Sequence, residues 1–451
     1  MDRLPIEMLV LIGDHIQDSE YRHGILLNLS LCCRHFHNVF QPMIYHSIEW
    51  CDPMMSVGFI RFIMRLWRQP ELASKVRRLD IDWYDIDYHD SHECGPRPRK
   101  KPAIDKLKED TNVVSFIQDA LDVIFTPEEK GMRSEWEKHL DPNNLCTESW
   151  LGLLLVRTNN IQTIVFTHHE SQLMSDILHK AANRQRPFHK ATPFPHLQEV
   201  RGGAAWEKAW IDSVFFTPFF YFPAVRKIYG SVIGEDKYEE NMTLDKSYCS
   251  NQVREIIIDE LYWSRDMLDW FEACTKLERV SVNIDIQEEK VIDEMPDHLK
   301  FDASLYRTGL LHSAATLKSL RINYGSLYRN RLEEHDALDA PFGSFREFVV
   351  VEDIAVRHSH LMNTRPLVEI LPISLKRLEI NHLMDDDDDD DDDDLVHLIS
   401  ELSDLVRQGC CENLEQLLLQ TDLDNGCPHL DALKLECEAR GVFLGYSETE
   451  D

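Results

Sequence analysis

The chain has 451 residues, 43% of them hydrophobic and 28% charged, with 80 acidic residues against 48 basic ones. That apolar fraction is ordinary for globular protein and lets the chain bury a large core, as about three domain-equivalents or one extended repeat domain with an appendage. The net charge of −32 argues against general nucleic-acid binding, which needs Lys and Arg to neutralise phosphates, and against docking on an anionic membrane.

The opening residues mix charged and apolar types and run straight into a helical pattern, so no signal peptide is expected. The most apolar run, Val214 to Val225, is too short to span a bilayer and contains Pro218 and Pro223. Eleven cysteines are present, none at CxxC spacing, and Cys32–Cys33 and Cys410–Cys411 are adjacent pairs. Adjacency suits neither an ordinary intrachain disulfide nor a zinc site, so a reducing compartment is expected, cytoplasmic or nuclear.

Residues 1–48 form a unit of their own. Pro5 sits where a first helical turn tolerates a missing N–H, and apolar residues recur at 5, 8, 9, 12 and 16, close to helical period. A second apolar segment, Ile25 to Leu31, leads into Cys32 to Phe40, Pro42 is expected to stop that helix, and Tyr45 to Ile48 can begin a strand. Three short helices bury little surface by themselves, so such a unit leans on a partner or on the next domain of the chain.

Residues 70–446 carry a repeat. Leu154 to Phe166, Trp270 to Val282 and Leu310 to Ile322 superimpose without a gap, each ending a helical segment and entering an L-x-x-L-x-L strand. Looser copies start at Val76, Leu197, Val225, Val253, Phe345, Leu375 and Leu414. From Ile161 onward the intervals are 36, 28, 28, 24, 40, 28, 30 and 39 residues, and the 85 between Val76 and Ile161 leave room for a missed unit and a loop. One strand-plus-helix unit cannot bury its own apolar face, so stacking into an α/β solenoid is expected. The ordinary α/β domain with several such strands is the alternative.

Two interruptions read as loops. Residues 85–112 are polar and include Pro96 to Pro102, a basic cluster read as solvated, with a nuclear-import signal as the other reading. At 384–394 lie ten consecutive aspartates, Asp385 to Asp394, whose like charges repel. Their last one or two are expected to cap a helix beginning near Leu395.

The first unit resembles an F-box. The residues carrying the resemblance are Leu4-Pro5-x-Glu7-x-Leu9-x-x-Ile12, then Leu26-Leu27-x-Leu29-Ser30-Leu31-Cys32-Cys33-Arg34-x-Phe36, then Pro42-x-x-Tyr45. Met8, Cys32 and Met43-Ile44 depart from the commonest family residues and are all apolar. The resemblance implies docking on a Skp-family adaptor and, through it, on a cullin and a RING protein in a ubiquitin ligase. By motif position Leu4, Pro5, Leu9, Ile12, Leu29, Leu31, Cys32, Phe36 and Val39 divide between the adaptor interface and the unit's own small core. Leu4 and Pro5 are assigned to the interface.

The repeat region resembles the irregular leucine-rich-repeat-like domains found after fungal-type F-boxes, which implies recognition of a protein substrate. In an L-x-x-L-x-L strand the leucines point inward and their neighbours line the open face. On that ground the candidate substrate contacts are Arg78, Asp80, Arg201, Tyr229, Asp259, Arg279, Asn283, Arg321, Asn323 and Arg377, and the same face takes in Glu199, Lys227, Glu255, Glu347 and Glu379.

No catalytic motif stands out. His89 to Cys94 has metal-capable residue types without a second ligand pair, and His168-His169 and His358-Ser359-His360 read as surface histidines. No catalytic residue, metal or cofactor is therefore expected. The alternative to a ligase receptor is a non-ligase leucine-rich interaction scaffold whose first unit only caps the solenoid.

Overall fold

The computed structural model describes residues 4–17, 21–50, 57–81, 111–141, 146–168, 172–204, 210–234, 244–261, 265–284, 302–324, 341–361, 365–383, 392–409, 411–421 and 428–447. Two compact units emerge, Met1–Trp206 with Tyr221–Val225, and Glu207–Phe220 with Arg226–Asp451. Both are α/β, built on parallel strands that lie side by side in chain order.

In the first unit, helices α1 (Ile6–Gln17), α2 (Arg22–Cys32) and α3 (Arg34–Met43) precede strand β1 (Ser47–Trp50). Helices α4 (Val57–Arg68) and α5 (Pro70–Ala73) lead to β2 (Arg78–Ile81). Helices α6 (Thr111–Ile124), α7 (Lys130–Leu140) and α8 (Thr147–Arg157) lead to β3 (Thr163–His168), and α9 (Gln172–Ala182) leads to β4 (Glu199–Ala204). The register sets Ile48 beside Leu79, Leu79 beside Ile164 and Ile164 beside Val200, all buried. Alternation of a strand turns these residues to one face, where the helices exclude water from them. Aromatic rings fill the space behind: Phe116 stands edge-on to Trp67 at 5.7 Å and stacks on Trp150 at 6.1 Å.

β2 pairs directly with β3, so no strand lies between them in the sheet, and among the described residues the long interval holds helices α6 to α8. Thr111 and Asn112, placed by sequence in a loop, open α6. The rest of that loop, with His89 to Cys94 and the basic cluster, lies outside the described residues. So do His169 and Asp385 to Asp391.

A half-buried ion pair braces this unit. The Lys180 ammonium, 2% exposed, bonds the Glu129 carboxylate and lies 5.0 Å from the Phe125 ring centre. Burial works against ionisation of Glu129, but the bonds from Lys180 and from the Thr126 N–H (2.7 Å) outweigh it and hold the carboxyl below its ordinary value. A folded-state pKa depressed in this way adds stability that is complete above the ordinary value of 4.5 and is lost as pH falls through the lowered one. Glu129→Gln is therefore expected to be less stable than the parent at neutral pH, with the gap narrowing on acidification below that value. Melting temperatures of both proteins across an acid series check this; a gap that stays constant refutes it.

In the second unit, β5 (Ile211–Asp212) and β7 (Ile233–Gly234) pair with each other beside the main run. That run begins with β6 (Lys227–Ser231) and β8 (Glu255–Leu261); helix α10 (Arg265–Ala273) then precedes β9 (Arg279–Ile284), and α11 (Ala303–Leu310) precedes β10 (Ser319–Tyr324). β11 (Asp353–Arg357) comes next, then the short helices α12 (His358–Leu361) and α13 (Leu367–Ile370), and β12 (Arg377–Leu383). Helix α14 (Asp392–Gln408), β13 (Gln416–Thr421), helix α15 (Pro428–Arg440) and β14 (Phe443–Ser447) complete it. The inward row Ile256, Val280, Leu320, Ile354, Leu378 and Leu417 is fully buried. In place of an α-helix, the apolar run around Val214 forms a buried 3-10 helix, Ser213–Tyr221.

Nine of the ten repeat strands read from sequence begin two residues after their leading apolar residue, as in Leu317 before Ser319. The copy placed at Phe345 is wrong. Phe345 and Phe342 stack at 4.3 Å in a turn region, and the strand begins at Asp353, after Val351. Glu347 accordingly lies off the sheet, bonded at 2.5 Å to Arg307 of α11. Two further expectations fail: Pro42 lies inside α3 instead of ending it, and α14 starts at Asp392 and so takes in the last three aspartates.

Candidate functional site

Chemistry has little to build on among the described residues. No group of three or more His, Cys, Asp or Glu side chains is placed to hold a metal ion, and no described helix is long and apolar enough to cross a membrane. Cys32, Cys33, Cys249, Cys274 and Cys437 are free thiols, and burial pushes those of Cys249 and Cys437 up to about 11. His360 is not at the surface: it is fully buried, with Nε2 2.7 Å from the Tyr324 hydroxyl.

The feature that stands apart is the apolar exterior of α1 and α2. Pro5 precedes α1, and its carbonyl accepts from the N–H groups of Met8 (3.1 Å) and Leu9 (3.2 Å), while Glu7 favours the positive end of the helix. Leu9, 1% exposed, joins Leu26, Phe36, Phe40 and Met43 in a small core. Gly13 lets α1 approach α3 closely, since a Cβ there would lie 2.4 Å from Met43 Sδ. Between α2 and α3 only Cys33 is extended, and its Sγ accepts from the Phe36 N–H at 3.4 Å, capping α3.

That packing uses one face of α1 and leaves Ile6, Met8, Leu11 and Ile12 exposed, Leu11 at 62%. On α2, Leu27 and Leu31 are exposed, Leu31 at 73%. The run Met8 to Ile12 is apolar around more than a full turn, and such a surface is normally covered. Of the residues expected at an adaptor interface, Leu4, Pro5, Ile12, Leu31 and Cys32 lie in solvent. Leu9 and Phe36 are buried core residues, and Leu29 and Val39 pack half-buried against that core. Ile6, Met8, Leu11 and Leu27 went unselected, although the unbroken apolar run Met8 to Ile12 already signalled Met8 and Leu11. Arg22 fastens α2 to β1, with its guanidinium on the Ser47 hydroxyl (2.8 Å) and the Glu49 carboxylate.

The second candidate surface is the outward face of the strands. In the first unit, Arg78 pairs with Asp80 at 2.8 Å on β2, and Arg201 pairs with Glu199 on β4. In the second unit, Arg321 bonds Asp353 at 3.0 Å and Glu379 at 3.4 Å, while Arg377 bonds Glu379 at 2.8 Å and lies 3.7 Å from Asp353. Burial opposes the charge of Arg321, but Asp353 and Glu379 outweigh it and raise its pKa. These two arginines close a four-membered network and are not open ligand contacts as expected. Asn323 accepts from Asn381 Nδ2 at 2.6 Å, next to Asn283 in register. Tyr229 donates to Asp259, whose carboxyl is raised by burial and by the nearby Glu260 charge. Arg279 stands exposed beside Glu255 in register.

A further charge row went unseen in the sequence. One residue before each strand, Arg254, Glu278, Lys318, Glu352, Lys376 and Glu415 succeed one another, each donating its N–H to the carbonyl of the one before from Glu278 onward. Their signs alternate, and Lys318 pairs with Glu278 at 2.9 Å and Lys376 with Glu352 at 3.0 Å. Opposite charges on adjacent strands stabilise modestly and disfavour register slips. Comparison with protein-family models, with curated proteins and with solved structures gave no match.

Proposed function

We propose that the chain is the substrate-recognition subunit of a Skp–cullin–F-box ubiquitin ligase. The N-terminal helices would bind the Skp adaptor, and a leucine-rich-repeat-like solenoid would bind a protein substrate. The observation that carries this reading is the exposed apolar shell of α1 and α2, with Leu4, Pro5, Ile12, Leu31 and Cys32 at its motif positions. Contiguous apolar exposure of this kind marks a protein-interaction site, and short apolar helices suit helix-in-groove contacts. Parallel strands in chain order, with polar residues outward, support the solenoid part of the reading. The role is positioning: a held substrate gains effective concentration at a ubiquitin-loaded enzyme, and the bond-forming groups belong to the partners. Such a subunit works in the cytoplasm or nucleus without a cofactor.

The scaffold reading has its own support in Arg22, which ties the helices to β1 as a cap would be tied. Co-purification of the intact chain with a Skp-family adaptor separates the two. Leu4→Ala combined with Pro5→Ala is expected to cut adaptor recovery at least about tenfold, since a few anchors dominate such interfaces, with the circular dichroism spectrum unchanged. Undiminished recovery would refute the interface assignment, and no capture by the parent chain favours the scaffold.

A further inference from the structure

The last strand of the second unit departs from the way natural sheets treat their edges. β14 pairs with β13 along one side, with Phe443 opposite Gln416 and Gly445 opposite Leu418. Among the described residues no strand pairs with its other side. The Phe443 N–H donates to Glu415 O at 2.8 Å, so Phe443 points its backbone groups at β13. Successive residues of a parallel strand alternate, which turns the N–H and C=O of Leu444 to the outer edge. Exposed edges are ordinarily blunted by Lys, Pro, a bulge or a covering element. The segment Phe443-Leu444-Gly445-Tyr446-Ser447 has no charge and no proline. Phe443 is 62% exposed, and Leu435 on the preceding helix is exposed too. A Cβ on Gly445 would meet Leu418 Cδ2 at 2.7 Å, so Gly445 lets the Leu418 side chain lie close over the strand.

We infer that the outer edge of β14 receives an extended segment of a partner protein, rich in Lys or Arg, which adds to the sheet as a further strand. Backbone pairing would supply affinity and the Phe443 ring an apolar flank. The charge of the occupant is set by the surrounding sequence: residues 385–451 hold 22 acidic residues and 3 basic ones. A second copy meeting β14 edge to edge would bring two such acidic regions together, whereas a basic strand is attracted and steered in. The inference uses no residue of α1 to α3, so it stands or falls separately from adaptor binding.

The test uses the full chain and a fluorescein-labelled peptide of alternating lysine and valine, with a glutamate-for-lysine peptide as its counterpart. Anisotropy should show binding of the basic peptide only, weakened about tenfold between roughly 0.05 M and 0.5 M salt. Hydrogen exchange over residues 442–447 should slow when that peptide is added. Phe443→Lys, which restores an ordinary edge charge at an exposed position, should weaken binding at least about tenfold with unchanged circular dichroism. Equal binding of both peptides, an unaffected Phe443→Lys variant, or exchange slowed only elsewhere would overturn the inference. A dimer of the chain alone that Phe443→Lys disperses would overturn it in favour of self-association.

Discussion

Leu31→Asp is expected to lower the affinity for a Skp-family adaptor by about 100-fold, equivalent to about 2.7 kcal/mol, without destabilising the chain. Leu31 is 73% exposed on α2, so in the unbound protein a carboxylate there meets water and displaces no contact. At an apolar interface the same change removes a buried side chain worth about 1.5–3 kcal/mol and leaves a charge to be desolvated. Leu9→Asp makes the contrast. Leu9 is 1% exposed among Leu26, Phe36, Phe40 and Met43, so a charge there breaks the three-helix core. Both variants should lose the adaptor in isothermal titration, but only Leu9→Asp should also lose helical signal. Wild-type affinity of Leu31→Asp would remove α2 from the interface.

That contrast marks where the sequence was legible. Strands could be read because L-x-x-L-x-L states its own period: Leu317, Leu320 and Ile322 are all buried, and Arg321 between them faces outward. The error at Phe345 has a physical source. Phe345-x-x-Phe348-x-Val350 and Val351-x-x-Ile354-x-Val356 both match the pattern, six residues apart. The register chooses the second, which sets Ile354 between Leu320 and Leu378, and the phenylalanines pack as a loop core instead. For α1 periodicity could not separate core from interface over Met8 to Gly13, because no polar residue interrupts that stretch. Gly13, the point of close approach to α3, was the available signal for its inner face.

Charge was the least legible property. Arg321 looked like a ligand contact because it stands alone in its own repeat, and its partners Asp353 and Glu379 arrive only with strand register, whereas Arg377 has Glu379 two residues away on its own strand and gains Asp353 from the neighbouring one. The same holds for the row from Arg254 to Glu415, whose members are separated by a whole repeat in sequence and by one strand in space. Cross-strand pairs form between residues that local sequence never compares. The outward face is thus internally neutralised across β10 to β12, while Tyr229 and Asp259 bond each other across β6 and β8 and Arg279 on β9 stands exposed.

Trp270→Ala is expected to destabilise the second unit by about 4 kcal/mol. Trp270 on α10 is 1% exposed, and its ring lies 5.5 Å from Phe216 and 5.3 Å from Phe220 between centroids. Both partners sit on the 3-10 helix that replaces an α-helix in this repeat, and a helix of that kind has weaker internal hydrogen bonds. Its place therefore depends on the aromatic contacts, and deleting the indole removes transfer energy, opens a cavity and loosens the segment at once. Trp270→Phe should recover most of the loss, because it keeps a ring between the two phenylalanines. Denaturant unfolding monitored by far-ultraviolet circular dichroism checks both, with an earlier first transition expected for Trp270→Ala. A loss below about 1 kcal/mol, the scale of an ordinary surface substitution, would mean that this packing does not hold the repeat together.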